Sequence, residues 1–531
     1  STALLTIGYI SSAHAFESDV FIGNAKALSL GNAVTAAPPH IDSIYYNPAG
    51  LAGIEGLQVQ VKGLVAAFEL ETQLHAPDAY LDFLSALNLN DPILDANGNA
   101  TSRTTQFNAQ LPGVGLVTLP VPGAVLGGIS YKPERYSRWT FANSVFAPLM
   151  AGVHRTDPAG AFIGKDVSVT RLTYFAPTFG YKVTEKFWIG AGLNISYFGV
   201  GADPISIRVP DLLTAAGGLA TGADSPLCTA IPSVSLIIDP CSGSLRPTEP
   251  LADLHATLED YFSPTYNLGF LWHVNDWISW GGVYHSGSKD VLKGDIEIKY
   301  TQQIKDLVNG LNNNTNPALL NAIRFVFPTW PSGPAEDDIS ESSVDFEYPA
   351  SAGTGVKVQV LPRVSVSLDL KWTGASAWDE WIAEFQDPME VLGLVAIINN
   401  DVNQNRVRIP RRYQDYLAYG VGVEYQYNHR IILRGGYEFR ESPIPKSQAD
   451  AVVPIGELHT FGTGLNFRID KDSDIDLAAA YITSTTEAPA CTSPNANDCG
   501  ISSLVYSPYS GLDMKHTLNV ALFELAYQSR W

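Results

Sequence analysis

Few residues in this chain have the types and spacing that chemistry needs. The run His285-Ser286-Gly287-Ser288 is the nearest approach to a nucleophile beside a base, and it is a poor one. A hydrolase would need a Ser/His or Asp/His set, and no G-x-S-x-G elbow, H-E-x-x-H helix, phosphate-binding loop or dinucleotide fingerprint occurs. Asp401-x-Asn403-x-Asn405 begins like a calcium loop but lacks the glycine and the closing glutamate. Asp470-x-Asp472-x-Asp474-x-Asp476 reads as a turn running into a strand. No metal and no cofactor are therefore expected. Four cysteines remain, Cys228 with Cys241 and Cys491 with Cys499, each pair close in sequence within polar loop. Two local disulfides in an oxidising compartment are the expectation, with free thiols the alternative.

The elements around these residues are more informative. The 531 residues carry 33 Lys+Arg against 54 Asp+Glu, a net charge of −21, yet only 16% are charged. So acidic a chain cannot neutralise a run of phosphates, so nucleic acid is excluded as a partner. The longest apolar run, Val391–Ile398, is far too short for a spanning helix. Period-two alternation dominates instead. Val364, Val366, Leu368, Leu370 and Trp372 share one face, and Ser365, Ser367, Asp369 and Lys371 the other. Phe187–Gly199, Ile431–Arg440, Phe461–Ile469 and Ile475–Tyr481 repeat the pattern.

These strands are joined in pairs by very short turns, such as Val183–Lys186 and Asp470–Ser473, while the other connections are long and polar. Aromatics recur at strand ends, where interfacial girdles would lie. A soluble sandwich or propeller would alternate too, but with short loops at both ends. The fold class expected is all-β: a 14-stranded antiparallel transmembrane β-barrel over residues 57–531. Ala3–Ile10 followed by Ala13-His14-Ala15 reads as the remnant of an export signal over residues 1–15, with the mature chain starting near Phe16. Trp531, closing an alternating strand with Phe523, Leu525 and Tyr527, resembles the signal read by the barrel-assembly machinery.

Residues 16–56 do not alternate and are rich in Gly, Ala and Asn. The run Phe21–Val34, then Ile44–Leu51 with Asn47-Pro48-Ala49, resembles the long-chain fatty-acid transporter (FadL) family. Arg434–Pro445, with its Ser-Pro-x-Pro loop start, is similar to a late strand of the same family. The resemblance implies that residues 16–56 form an N-terminal hatch, or plug, inside the lumen, ending at Asn47, Pro48 and Ala49. It implies passive uptake of hydrophobic compounds across the bacterial outer membrane, fatty acids or hydrocarbons. Cargo would be captured at outer loops, pass to a lumen pocket beside the hatch and leave sideways through a kinked third strand. Candidate ligand contacts are Phe16, the helical stripes holding Phe83, Leu84 and Leu87 and holding Leu307 and Leu311, and the strand opening at Arg411, Arg412 and Gln414. Such stripes serve loop self-packing equally well. Many family members carry a base where Gln414 stands, which favours a neutral cargo here. Gly127, Gly128 and Pro133, in a strand read as the third over about Ala124–Arg138, are the candidate lateral gate, with Pro112 and Pro120 before it as alternatives. Expected partners are the hydrophobic ligand, outer-membrane lipid and lipopolysaccharide, and the assembly machinery, around a monomer. The alternatives kept are an outer-membrane hydrolase and a general porin.

Overall fold

The computed structural model describes residues 23–86, 90–119, 121–134, 138–208, 248–312, 321, 336–389, 392, 402–499 and 507–531. Among them, fourteen strands close into one antiparallel barrel. In chain order these are β1 (Leu57–His75), β2 (Asn99–Thr104 and Gly123–Tyr131), β3 (Trp139–His154), β4 (Asp166–Phe175 and Thr178–Lys182) and β5 (Phe187–Ile207). Next come β6 (Ala252–His273), β7 (Ile278–His285 and Ser288–Tyr300), β8 (Asp338–Tyr348 and Ser351–Leu361), β9 (Val364–Thr373 and Glu380–Phe385) and β10 (Arg406–Pro410 and Tyr416–Gln426). The last four are β11 (Ile431–Arg440), β12 (Glu457–Arg468), β13 (Ser473–Ala488) and β14 (Asp513–Arg530). Closure is a continuous β1–β14 ladder running from Gln58↔Arg530 to His75↔Asp513. It joins the first strand to the last, as a barrel wall immersed in lipid requires.

The alternation places apolar side chains outward. On β9, Leu368 is 56% exposed while Ser365, Ser367 and Asp369 are buried, the reverse of a soluble sheet. The pattern then inverts along the strands. Low on β6, Trp272, Leu268 and Tyr266 face out; above an irregularity between Asp260 and Ser263, Leu254 and Leu258 are buried inside while His255 meets exposed Asp203 outside. Exposed Tyr261 and Phe262 stand at the crossover. The lower wall is thus built for hydrocarbon outside, and the upper wall for water outside with an apolar core within.

Residues 23–56 fill the lower lumen with α1 (Ala25–Ser29), α2 (Ser43–Tyr46) and 3-10 turns at His40–Asp42 and Pro48–Gly53. Asn24 caps α1, its Oδ1 accepting from Ala27 N at 3.1 Å. Buried Asp42 accepts from Lys62 Nζ of β1 at 2.7 Å and from Asn24 Nδ2 at 2.7 Å. Glycines on the wall make room for this segment: a side chain at Gly462 would enter the backbone at Leu28, and one at Gly190 the backbone at Pro48. Asn47 ties the segment's end to the wall. Its Nδ2 donates to Thr35 O at 2.8 Å and to Phe270 O of β6 at 2.9 Å, while its Oδ1 accepts from Ala49 N at 3.2 Å.

Candidate transport path

The wall is interrupted once along β1. Leu70–His75 pair with the upper half of β2 and Leu57–Val65 with the lower half, so Ala66–Glu69 have no ladder partner on that side among the described residues. The segment that should run opposite these four, Phe107–Leu119, leaves the wall. It forms a hairpin, Phe107–Leu111 paired with Gly115–Leu119. The facing edge of β3 is likewise unladdered from Phe146 to Val153, until Gln106 bridges to His154. The result is a window framed by β1, β3, the upper half of β2 and Pro122, whose carbonyl accepts from Ala66 N at 2.8 Å.

An apolar cavity lies against this window. Its lining comes from β1 (Ala66, Phe68, Leu70), β3 (Ala151, Val153), the hairpin base (Phe107, Pro122), β14 (Leu518, Val520) and the loop segment Val452–Ile455. One charged residue joins them, Arg155, in the loop just above β3. It is buried, with Nη1 donating to Gly164 O at 3.0 Å and Nη2 without a hydrogen-bond partner among the described residues. Burial lowers its pKa to about 10, which still leaves it cationic at neutral pH. A buried donor without an acceptor is costly, roughly 1–3 kcal/mol. Here the residue that carries that donor lines a cavity whose other walls are apolar.

Arg411 stands behind the cavity rather than in it. It is buried, stacked 4.1 Å from the Trp381 ring and ion-paired to Asp450. Asp450 also accepts from Tyr413 OH at 3.1 Å and, through Oδ1, from Val452 N at 2.8 Å and Val453 N at 3.2 Å. The pair therefore shapes the valine segment that lines the cavity. Arg412 is exposed at φ +53°, and Gln414 is exposed with Nε2 on Ser442 O. The three residues at this strand opening do not converge on the cavity, so the neutral Gln414 says nothing about its cargo.

Other expected site residues are scattered. Gly127 and Gly128 pair with both β1 and β3, and Pro133 lies in the turn below β2. The interruption stands instead above Gly123, in the second strand and not the third. The stretch around Pro112 is the hairpin tip and not a wall strand. Leu84 is buried on helix α3 (Asp78–Ala86), and Ile304 on α4 (Gln302–Asn312). The side chains of Phe83, Leu307 and Leu311, and residues Phe16 and Leu87, lie outside the described residues. So do Cys228 and Cys241 and the expected export signal. Cys491 and Cys499 form a disulfide with Cα atoms 4.9 Å apart. His285 packs on the Tyr45 ring at 4.8 Å, and Ser286 Oγ accepts from Tyr266 N at 2.9 Å, so neither is set up as a nucleophile and its base. No group of metal-ligating side chains occurs among the described residues.

Arg155 is the residue that sequence reasoning missed. It sits between His154 and Thr156 without a motif, and only the fold puts it beside an apolar cavity.

Solved structures share this fold. A FadL homologue of Pseudomonas aeruginosa is 16% identical, with a TM-score of 0.65 over 96% of this chain and 98% of that one. The toluene transporter TodX of P. putida is 15% identical, with a TM-score of 0.56 over 97% and 99%. The toluene transporter TbuX of Ralstonia pickettii gives 15%, 0.56, 97% and 99%. At these identities the likeness is one of fold. A candidate outer membrane protein of Neisseria meningitidis serogroup B is 22% identical over 218 residues, and the match spans only 41% of either chain. A family model described as outer membrane protein transport protein (OMPP1/FadL/TodX) matches residues 4–531, and the chain belongs to that family.

Proposed function

We propose that this protein takes up hydrophobic molecules bearing an acidic head group, long-chain fatty acids first among them. Cargo is captured by the outer-loop helices α3 and α4, settles in the cavity with its head on Arg155, and leaves through the window into the outer leaflet. The observation that carries this reading is one unpaired cationic donor, Arg155 Nη2, on the border of an otherwise apolar cavity that abuts a break in the wall. An apolar solute leaving sideways never meets bulk water, which removes the main barrier to its passage. Residues 23–56 act as the hatch that blocks straight passage to the periplasm. The protein works as a monomer in contact with lipopolysaccharide, after insertion by the barrel-assembly machinery, and catalyses nothing.

The apolar remainder of the lining favours a second reading, neutral hydrocarbon cargo of the kind named for the toluene transporters. Uptake of oleate and toluene into cells lacking their own transporter separates the two. Arg155→Met should cut oleate uptake and spare toluene; equal effects on both would remove the head-group reading. Sideways exit has its own test. Replacing residues 105–122 by four residues, in register with Ala66–Glu69, makes the second strand continuous and should abolish uptake. Undiminished uptake through a sealed wall would rule the window out.

A further inference from the structure

The hairpin that leaves the wall does not hang free. Phe107–Leu111 and Gly115–Leu119 lie across the outer faces of β3, β4 and β5, on a seat shaped for them. Gly152, Gly199 and Gly201 face outward beneath the hairpin. A Cβ on Gly201 would stand 2.5 Å from Gln110 Oε1 and 3.2 Å from Leu116 Cδ1, and one on Gly152 would enter the carbonyl of Asn108. Polar groups on the same outer faces reach up to it. Gln110 N donates to Ser168 Oγ at 2.9 Å and Thr170 Oγ1 at 3.2 Å, and Gln110 Nε2 to Glu259 Oε1 at 3.0 Å. Tyr261 OH donates to Glu259 Oε2 at 2.9 Å and accepts from Gly113 N at 3.2 Å. Gln110, Ser168 and Thr170 are fully buried by this docking. The seat lies at and just above the Tyr261–Phe262 crossover. Lipid-facing positions lower on the same strands are apolar, so a glycine-floored polar patch here is spent on holding the hairpin.

We propose that the hairpin is a latch that holds the window open. This rests on the sideways-exit reading above. Seated on the outer wall, the hairpin keeps Phe107–Leu119 out of the ladder. Unseated, one of its five-residue arms, Phe107–Leu111 or Gly115–Leu119, returns to the edge left by Ala66–Glu69 and closes the wall. Both arrangements satisfy backbone hydrogen bonds, one through the seat and one through the ladder, which is what lets a single segment have two stable positions. Phe107 and Pro122 couple the latch to cargo, because they belong at once to the hairpin's base and to the cavity lining.

The test uses the full-length protein with three kinds of variant. Ala109 is fully buried in the seated hairpin, so Ala109→Cys reports seating through its reaction with a water-soluble maleimide. Gly201→Leu fills the seat and Gln110→Ala removes its central hydrogen bonds. Each should raise labelling of Ala109→Cys and lower the initial rate of oleate uptake at least fivefold, at unchanged barrel yield and heat-modifiability. An Asn108→Cys, Asp166→Cys cross-link, at side chains already joined by a 2.7 Å Nδ2-to-Oδ1 bond between hairpin and wall, fixes the seated state and should leave uptake at the parent level. Normal uptake in a variant whose Ala109→Cys labels freely would overturn the latch, as would loss of uptake on cross-linking. Unchanged protection in both seat variants would overturn it too, since the seat would then not be what holds the hairpin. If the sealed-wall replacement abolishes uptake while the seat variants behave normally, the latch alone falls. If the sealed wall still transports, sideways exit itself has failed.

Discussion

A buried guanidinium nitrogen with no acceptor is a standing invitation to an anion. At Arg155 a bound carboxylate would supply the missing acceptor through a charge-assisted bond, worth about 1.5–3 kcal/mol. That corresponds to roughly tenfold or more in affinity. Arg155→Met should therefore raise the oleate concentration for half-maximal uptake at least tenfold, and a competition assay with oleate and an alkane of equal length measures it. Arg155→Lys should fall between, keeping the charge without the planar fork. Arg411 has a different weight. Removing its partner in Asp450→Ala strands a buried charge, at a cost of about 3–5 kcal/mol. Lower resistance of the folded barrel to heating in detergent, with the cavity's valine segment loosened, is the expected result. From sequence, Arg411 and Gln414 look equivalent as flanking residues of a strand opening, and only burial and pairing tell them apart. Local sequence holds no sign of either Arg155's isolation or Arg411's ion pair, because both depend on partners far along the chain.

At the scale of elements, most of the wall was legible because each face of a membrane strand meets one solvent. Val364–Thr373 and Ile431–Arg440 announce their outer and inner residues by parity alone. The broken second strand was not legible for the same reason. Phe107–Leu119 is short, partly apolar and β-prone like its neighbours, and a hairpin docked on a wall reads like a strand within it. Asn47-Pro48-Ala49 combines a turn signal with a side chain that bonds in three directions. Asn47→Ala removes bonds to Thr35, Phe270 and Ala49, each contributing about 1 kcal/mol. We expect a hatch that loosens within an intact barrel. Faster entry of small sugars in a liposome-swelling assay, without loss of barrel yield, would show it.

For the whole molecule, the net charge of −21 and the short supply of charged residues stop being at odds once the wall is divided by height. Charge gathers on loops, on the upper outer surface and inside the lumen, where Asp42, Lys62, Arg434 and Glu438 are buried, while the lower outer faces of strands such as Val364–Thr373 are apolar. A lumen filled by residues 23–56 predicts single-channel currents in planar bilayers far below those of an open porin. Large, stable ionic conductance from the parent protein would contradict a plugged barrel.

The inversion of inside and outside along β6 has a further consequence, one of depth. Sliding the barrel down would carry Glu259, the first polar outer residue above Tyr261 and Phe262, toward hydrocarbon, and sliding it up would draw the Trp272 girdle out of the lower interface into the bilayer core. Either displacement carries a heavy energetic penalty, so the strands act as a ruler that fixes the molecule's height in the membrane. Everything set into the wall inherits that height, so under the proposed sideways exit the window opens onto one layer of the bilayer and onto no other.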